Sequence, residues 1–173
     1  MIETFDYNTY FKKVQDSYKC ALGKYLTKIE FAFINKQLDS FKNKKIKILD
    51  VGGGDGRHAA VLVSSGYHVD ILEYDDPPIR ELKKRNYKYK IVKGDGNKLS
   101  NYFPKNKYDV ILAIQLDACT DKKHFKNFLS QVFDTLKDDG IFIFTGTNTF
   151  SIFGLIRLLS SRSRNPTPFW KIY

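Results

Sequence analysis

Residues 48–59 of the chain read ILDVGGGDGRHA, and this stretch decides the fold. An apolar run contains an acidic residue, Asp50, and leads into glycine at every second position: Gly52, Gly54 and Gly56. A glycine-rich turn after a strand lets the backbone approach a ligand where a β-carbon would clash. The stretch therefore predicts a nucleotide-binding turn, and the surrounding sequence has to indicate which nucleotide it binds.

Short β-rich runs alternate with helical patterns along most of the chain. Strands are predicted at residues 46–51, 67–74, 88–94, 108–115 and 141–147, and helices from the glycine turn to about residue 65, at 77–85 and at 122–137. A β-α-β-α order with continuously apolar strands is typical of a parallel sheet covered by helices on both faces. The predicted fold class is α/β, with a doubly wound, Rossmann-like, mostly parallel sheet.

The segment from Tyr7 to Phe41 has apolar residues at helical spacing. Steps of three and four residues are what an amphipathic helix requires. The recurring residues are Leu22, Tyr25, Leu26, Ile29, Phe33 and Leu38.

Composition favours one soluble globular domain, since 42% of the 173 residues are hydrophobic and 28% are charged. The formal net charge is +10 and the isoelectric point is about 9.5. Such a balance attracts anionic partners, but lysines greatly outnumber arginines, and nucleic-acid readers usually need arginine forks as well. A lysine-solvated surface is the preferred interpretation, and nucleic acid is a partner that the charge allows but does not favour.

No pattern in the sequence indicates a secreted or membrane-spanning protein. The N-terminus is acidic and aromatic where a signal peptide would be basic and then apolar. The apolar run at 150–159 is shorter than the ~20 residues that span a bilayer. Cys20 and Cys119 match no zinc spacing and are expected to be free thiols in a reducing compartment. We expect a cytoplasmic protein without a bound metal.

The spacing of the glycines distinguishes between nucleotide ligands. A dinucleotide-binding turn, Gly-x-Gly-x-x-Gly, would place its third glycine at position 57, where the chain has Arg57. A phosphate-binding P-loop would need lysine after the last glycine, and none follows Gly56. The pattern acidic-x-Gly-x-Gly-x-Gly instead resembles that of class I S-adenosylmethionine-dependent methyltransferases, with a domain of the type 11/25 kind. The resemblance extends over most of the chain.

This resemblance implies a cofactor, S-adenosyl-L-methionine, which becomes S-adenosyl-L-homocysteine, and it implies no metal. It also implies the strand order 3-2-1-4-5. Asp50 would face the ammonium group of the cofactor, directly or through water. The backbone of the turn formed by Gly52, Gly53, Gly54 and Gly56 would lie against the cofactor.

Two positions after the next strands match the nucleoside side of the family's site. Glu73 ends the second strand, where a carboxylate would accept hydrogen bonds from both ribose hydroxyls, and Tyr74 would lie against the adenine. Asp95, with Gly96 and Asn97 beside it, would bind the adenine amino group. An alternative interpretation of Asp95 is that it serves only as a turn residue.

Two more positions match the methionine side and the cap of the family's site. Gln115, at the end of the fourth strand, would line the methionine portion. Tyr18, in the N-terminal helix, would close over the cofactor. The alternative for Tyr18 is a place in the core.

The resemblance also predicts how the single domain is divided. Residues 1–45 would form an N-terminal helical cap, 46–149 the S-adenosylmethionine-binding Rossmann-like core, and 150–173 a C-terminal helix or tail. Members of the family end with an antiparallel hairpin, strands six and seven, and this sequence has none. A short or truncated variant is therefore expected.

The leading functional hypothesis is methyl transfer from S-adenosylmethionine to a small-molecule acceptor at O, N or C. The two regions that usually form the acceptor pocket, Tyr7–Phe41 and 150–173, are rich in phenylalanine, tyrosine and leucine. The alternatives are an RNA-directed methyltransferase, which the +10 charge supports, and an S-adenosylmethionine-binding domain without independent catalysis. A nicotinamide-dependent enzyme ranks last because of Arg57.

Neither the catalytic residues nor the oligomeric state can be assigned from the sequence. Asp117 and His124 follow the fourth strand, where a general base would lie, but solvation of a helix start explains both equally well. Cys119 lacks the preceding proline of the cytosine-C5 RNA methyltransferases, so a nucleophilic role is rejected.

Overall fold

The computed structural model describes residues 7–41, 45–85, 87–116 and 122–145, and within them helices and strands alternate as the sequence predicts. The elements in chain order are α1 (Tyr7–Lys19), α2 (Ala21–Leu38), β1 (Lys47–Val51), α3 (Arg57–Ser64), β2 (His68–Glu73), α4 (Asp76–Lys84), β3 (Lys90–Lys93), a 3₁₀ helix (Gly96–Asn101), β4 (Tyr108–Ile114), α5 (Lys122–Thr135) and β5 (Leu136–Thr145).

In the described residues, five strands form one sheet in the order β3-β2-β1-β4-β5, and every neighbouring pair is parallel. This order confirms the predicted doubly wound α/β class. β1 lies at the centre, between β2 and β4, where the strand order reverses. Loops diverge at such a point and leave a crevice at the carboxyl ends of the strands, which is where ligands bind in open α/β sheets.

The core lies on both faces of the sheet because successive residues of a strand point to opposite sides. Ile48 packs in the cluster that α2, α3 and α4 cover, whereas Leu49 and Val51 pack in the cluster under α5 and the 3₁₀ helix. All three side chains are buried. Burial on both faces is the physical reason why β1 reads as a continuous apolar run.

The junction between α5 and β5 differs from the prediction. The sequence predicts that the helix continues to residue 137, but it ends at Thr135. Leu136 pairs with Tyr108, and the next pairing joins Val110 to Ile141, so the residues between them form a bulge. A β-carbon at Gly140 would lie 2.6 Å from Cγ of Leu136, which shows how tightly the bulge folds back.

The predicted N-terminal amphipathic helix is two helices, and most of its apolar stripe is not in the core. α2 begins after Cys20, whose Sγ accepts a hydrogen bond from the Gly23 N–H. Its buried residues are Gly23, Ile34 and Leu38. Between 41% and 60% of Leu22, Tyr25, Leu26, Ile29 and Phe33 is exposed. The prediction of a helix was right, but α2 enters the core cluster through Ile34 and Leu38, and most of the apolar stripe is exposed in the described structure.

Several predictions concern residues outside the described ranges. These are Asp117 and Cys119 and the C-terminal segment at 150–173. Cys20 is an exposed free cysteine. Of the helices in the described ranges, none is long and apolar enough to span a bilayer.

Candidate functional site

A cavity of about 560 Å³ lies at the carboxyl ends of the central strands, beneath α1. Its volume is within the range of small-molecule sites, roughly 300–1,000 Å³. All but one of the site residues predicted from the sequence line it: Tyr18, Asp50, Gly52, Gly53, Gly54, Glu73, Tyr74, Asp95, Gly96, Asn97 and Gln115. The exception is Gly56, which is buried at the start of α3.

The glycines of the turn have two different structural roles. Gly52, Gly54 and Gly56 have φ values of +70°, +55° and +75°, in the left-handed region that other residues rarely adopt. A β-carbon at Gly56 would collide with the side chain of Leu82, whereas at Gly54 the nearest heavy atom is 4.0 Å away. Gly56 is thus needed for packing of α3 against α4, and Gly54 leaves open space on the cavity side.

Asp50 is a buried carboxylate at the floor of the cavity. Only 2% of the residue is exposed, and Oδ2 has no hydrogen-bond partner in the described part of the chain. Burial raises the pKa of Asp50 to about 6, although the charges of His58 and Arg57 partly oppose the rise. A buried oxygen without a partner is costly, so its persistence beside a cavity favours a ligand with a positively charged donor.

Glu73 holds the glycine turn and the start of the next loop through its carboxylate. Oε2 accepts a hydrogen bond from the Gly54 N–H at 2.8 Å, and Oε1 accepts from the N–H groups of Tyr74 and Asp75 at 2.8 and 3.1 Å. Burial raises the pKa of Glu73, and these three hydrogen bonds partly offset the rise.

The hydrogen bonds of Glu73 limit what the carboxylate can still accept. A carboxylate has about four acceptor positions, and three are occupied. The remaining position is on Oε2. A bidentate contact with both ribose hydroxyls, as the sequence suggested, would therefore require Oε1 to release one backbone N–H.

The loop after β3 contributes the opposite wall of the cavity. Asp95 precedes the 3₁₀ helix, and its Oδ1 accepts a hydrogen bond from the Asn97 N–H at 2.9 Å. The residue is thus a helix cap as well as a lining residue. Tyr74 lines the cavity with 64% of its surface exposed, so a ligand could cover its ring.

The N-terminal helices are tied to the site through Gln115 and Glu30. The Tyr18 hydroxyl donates to Oε1 of Gln115, and Nε2 of Gln115 donates to Oε1 of Glu30. Gln115 has a φ of +55°, unusual for a residue other than glycine, and its N–H donates to Oγ1 of Thr145 at 2.8 Å. Such backbone strain persists where surrounding contacts enforce it, often at functional sites.

Three residues that sequence reasoning did not assign to the site form a cluster beside it. Oε2 of Glu30 lies 3.4 Å from Nη2 of Arg57 and 3.2 Å from Nε2 of His58. The Arg57 guanidinium lies over the Tyr18 ring, with Cζ 3.4 Å from the ring centroid. Burial acts to raise the pKa of Glu30, but hydrogen bonds from His58 and Gln115 and the Arg57 charge outweigh it and lower the pKa.

His58 is buried within this cluster, and only 4% of the residue is exposed. Glu30 is on an otherwise apolar and lysine-rich helix, and no spacing connects it to residues 57, 58 and 115. The position of Arg57, where a dinucleotide site would have a glycine, likewise gives no sign of its contact with Glu30.

The cavity is acidic although the protein as a whole is basic. Among the described residues that line it, five carry a carboxylate and one carries a guanidinium. The carboxylates belong to Asp50, Asp55, Glu73, Asp75 and Asp95, and the guanidinium to Arg57. The described ranges contain no cluster of three His, Cys, Asp or Glu residues that could hold a metal ion. The charge of the lining favours a cationic ligand and disfavours phosphate groups.

Comparison with known proteins gives one matching family model. A model described as a methyltransferase domain matches residues 48–140, which is more than half of the chain.

Two curated relatives are polyamine aminopropyltransferases, from Thermoanaerobacter sp. (strain X514) and Thermoanaerobacter pseudethanolicus. Each is 29% identical to this chain over 153 residues. The alignment covers 81% of this chain and 54% of each relative. The chain thus spans about half the length of these relatives.

Two solved structures share the fold at low sequence identity. A putative S-adenosyl-L-methionine-dependent methyltransferase from Methanococcus maripaludis has a TM-score of 0.68 at 16% identity, over 95% of this chain and 76% of that one. A SAM-dependent methyltransferase from Archaeoglobus fulgidus has a TM-score of 0.67 at 19% identity, over 91% and 66%. At these identities the similarity establishes the fold alone.

Proposed function

Because the chain belongs to the methyltransferase domain family, of the class I S-adenosylmethionine-dependent kind, we propose that it transfers a methyl group from S-adenosyl-L-methionine to a small-molecule acceptor. The observation that carries the proposal is the acidic cavity at the carboxyl ends of the central strands, which Asp50 lines together with four other carboxylate residues. S-adenosylmethionine has a sulfonium, an ammonium and one carboxylate, and no phosphate, so its net charge suits such a lining.

The residues present fit this cofactor. Asp50 would bind the ammonium group, and the free acceptor position on Oε2 of Glu73 would take a ribose hydroxyl. Tyr74 and Asp95 line the part of the cavity expected to hold the adenine. The open space beside Gly54 would let the backbone approach the ligand closely.

The cofactor supplies a methyl group that its sulfonium already makes strongly electrophilic, so the protein mainly has to position the acceptor. Alignment of two reactants can supply on the order of 7–11 kcal/mol of the barrier. The chain's own contribution is the rigid turn that Glu73 fixes and the wall that α1 contributes through Phe11, Gln15 and Tyr18. We assign no general base.

The lining of the cavity supports a small acceptor over RNA. The cavity is lined by the glycine turn and also by four residues of α1: Phe11, Gln15, Ser17 and Tyr18. The helix therefore restricts the size of an acceptor that can reach the cavity. The five carboxylates would repel a phosphate backbone at the reacting centre. RNA remains an outcome of the test, since the net charge of +10 is available for contacts elsewhere on the surface.

Aminopropyl transfer is a second candidate function, favoured by the 29% identity to two polyamine aminopropyltransferases. An aminopropyl group is a three-carbon chain with an amine and no carboxylate. A sulfonium donor of that group therefore differs from S-adenosylmethionine only in lacking the carboxylate of the methionine portion.

The first experiment is a calorimetric titration of the purified chain with S-adenosylmethionine, alongside Glu73→Ala and a matched Glu81→Ala control. Glu81 is in α4, the helix that follows β2, and in the described structure its carboxylate pairs with Lys84 at the surface. We expect Glu73→Ala to weaken binding by about ten- to hundredfold, because a charged acceptor and the order of the turn are both lost. Glu81→Ala should bind like the wild type.

A second experiment identifies the acceptor class. The chain is incubated with donor labelled in its methyl group, and with donor labelled in its aminopropyl group, in the presence of separate small-molecule and RNA fractions. Methyl label in the small-molecule fraction supports the proposal. Methyl label in RNA, with binding that falls steeply as salt is raised, would replace it with the RNA-directed function. A folded wild-type chain that binds no donor would refute the cofactor assignment.

A further inference from the structure

Helix α2 has a second apolar side that is largely exposed in the described structure. A helix that packs on a core needs apolar residues only on the side that faces the core. In α2 the buried residues of that side are Gly23, Ile34 and Leu38. Five large apolar residues lie elsewhere on the helix, and 41–60% of each is exposed: Leu22, Tyr25, Leu26, Ile29 and Phe33. These five residues are the outer stripe of α2.

The outer stripe is continuous along the helix. Residues at three- or four-residue spacing lie one above another on a helix, and positions 22, 26, 29 and 33 have this spacing, with Tyr25 beside them. Phe33 directly precedes the buried Ile34, and one residue is a rotation of about 100°, so the stripe is turned from the core by about that angle. A contiguous exposed apolar patch, unlike single scattered residues, marks an interaction surface.

The exposed charges of α2 are all positive. Lys24, Lys28 and Lys36 are exposed, and none of them takes part in an ion pair within the described chain. Glu30 is the acidic residue of the helix, but its carboxylate belongs to the cluster beside the cavity and its side chain is only 10% exposed. The next carboxylate along the chain is that of Asp39, at the C-cap. The surface of α2 therefore complements a partner that is both apolar and anionic.

Two of the lysines lie along the border of the outer stripe. Lys28 is three residues after Tyr25 and Lys36 is three residues after Phe33, which places each next to the stripe, on the side away from the core. Apolar side chains bordered by lysines are typical of a helix that lies in the plane of a membrane surface. The apolar residues insert between the lipids, and the ammonium groups stay at the level of the headgroups.

We propose that the outer stripe of α2 is a docking surface for a membrane that contains anionic lipids. The net charge of +10 attracts the whole chain to such a surface. A second copy of the chain fits less well, because two stripes face to face would bring their lysine borders together. The chain would lie on the membrane without spanning it, since no helix in the described ranges is long and apolar enough to span a bilayer. This inference does not depend on the proposed function.

The test measures binding of the full chain to lipid vesicles by flotation in a density gradient. Vesicles of phosphatidylcholine alone are compared with vesicles that also contain phosphatidylserine, at low and at high salt. We expect the chain to float with the anionic vesicles and not with the neutral ones. Binding should fall at high salt, because salt screens the attraction between the lysines and the headgroups.

A matched pair of variants tests the apolar part of the surface. Phe33→Ser removes a ring from the outer stripe, and Phe133→Ser removes one from α5, where 66% of Phe133 is exposed. Phe33→Ser should weaken binding to the anionic vesicles about tenfold, because apolar surface that inserts into the membrane is lost. Phe133→Ser should bind like the wild type. Circular dichroism establishes that each variant is folded.

A second pair tests the charges. The double variant Lys28→Gln with Lys36→Gln should weaken binding about fivefold per lysine, the usual effect of a lysine near an anionic membrane surface. The control is Lys83→Gln with Lys126→Gln, which removes two exposed lysines from α4 and α5. The control should weaken binding less, since these lysines are not on α2.

Four results would overturn the inference. Equal binding to neutral and anionic vesicles, or binding to neither, would exclude an anionic lipid surface. Equal losses in Phe33→Ser and Phe133→Ser would show that the outer stripe does not contact the membrane. A dimer in sedimentation velocity that dissociates in Phe33→Ser would assign the stripe to a second copy of the chain. Vesicle binding that polyglutamate blocks and that Phe33→Ser leaves unchanged would assign the lysines to an acidic protein.

Discussion

Replacement of Asp50 by asparagine should stabilise the ligand-free protein while it weakens binding of the proposed cofactor. Asp50 is 2% exposed, and its Oδ2 has no hydrogen-bond partner among the described residues. The ionised side chain is thus buried without full compensation, which is unfavourable for folding. Asparagine has nearly the same shape and no charge.

The magnitude follows from the pKa of the group. Burial raises the pKa of Asp50 from 3.8 to about 6, and this rise corresponds to about 3 kcal/mol at 1.36 kcal/mol per pH unit. Because folding raises the pKa of this carboxyl, the folded state binds more protons than the unfolded state between about pH 4 and pH 6, and the free energy of unfolding falls as the pH rises through this range. The penalty is therefore complete above pH 6 and absent below pH 4. The new amide will also lack a partner, so the expected net gain at pH 8 is about 1–3 kcal/mol.

The assay is denaturant unfolding of wild type and Asp50→Asn at pH 8 and at pH 4.5. The free energy of unfolding should be higher for the variant at pH 8, and most of the difference should vanish at pH 4.5. Asp70→Asn is the matched control. Burial acts to raise the pKa of Asp70, but hydrogen bonds from the Tyr108 hydroxyl and Lys107 outweigh it and lower the pKa.

Asp70→Asn should consequently destabilise the protein at pH 8, by about 1.5–3 kcal/mol for the loss of hydrogen bonds to a charged group. An Asp50→Asn variant that is less stable than the wild type at both pH values would refute the reasoning. So would a gain in stability that does not change between pH 8 and pH 4.5.

Two further predictions concern the turn and its ligand. Gly54→Ala should cost about 1–2 kcal/mol of stability, because its φ of +55° is strained for alanine although the new β-carbon meets open space. Gly56→Ala should cost more, since its β-carbon would also collide with Leu82. Thermal unfolding of the two variants checks this order. The affinity for S-adenosylmethionine should fall by up to about tenfold per pH unit below pH 6, because Asp50 becomes protonated and no longer attracts an ammonium. Calorimetry between pH 5 and pH 8 checks this. A wild-type affinity that stays constant over this range, together with an Asp50→Asn variant that binds as tightly as the wild type, would contradict the prediction.

Most of the sheet and the main part of the cavity were predictable because their signals are local. The apolar run 46–51 is buried on both faces of the sheet, and the closely spaced glycines that follow it are typical of a turn that lies against a ligand. The resemblance to the methyltransferase family predicted Glu73 and Asp95 beside the turn. The fold supplies the reason, since the carboxyl ends of parallel strands meet at one edge of a sheet. Whether these residues bind S-adenosylmethionine remains a prediction.

Contacts between distant segments could not be predicted. The stripe from Leu22 to Phe33 has the spacing of a buried helix face, yet it is exposed in the described structure, because periodicity shows that a helix has two sides and not which side meets the sheet. The end of α5 was misplaced for a related reason, since pairing of Leu136 with Tyr108 ends the helix earlier than its own sequence would.

The sequence by itself determined the fold class and the position of the glycine turn, since both depend on residues that are neighbours in the chain. The strand order came from the resemblance to the methyltransferase family. Only the tertiary structure brought Glu30 of α2 to Arg57, His58 and Gln115, and left one atom of Asp50 and one of Arg57 buried without a partner in the described chain. The physical reason is that burial and hydrogen bonding depend on which distant segments pack together in three dimensions. A charge that looks solvated in the sequence becomes an unpaired buried group, and hence a candidate ligand contact, only when the helices have packed around it.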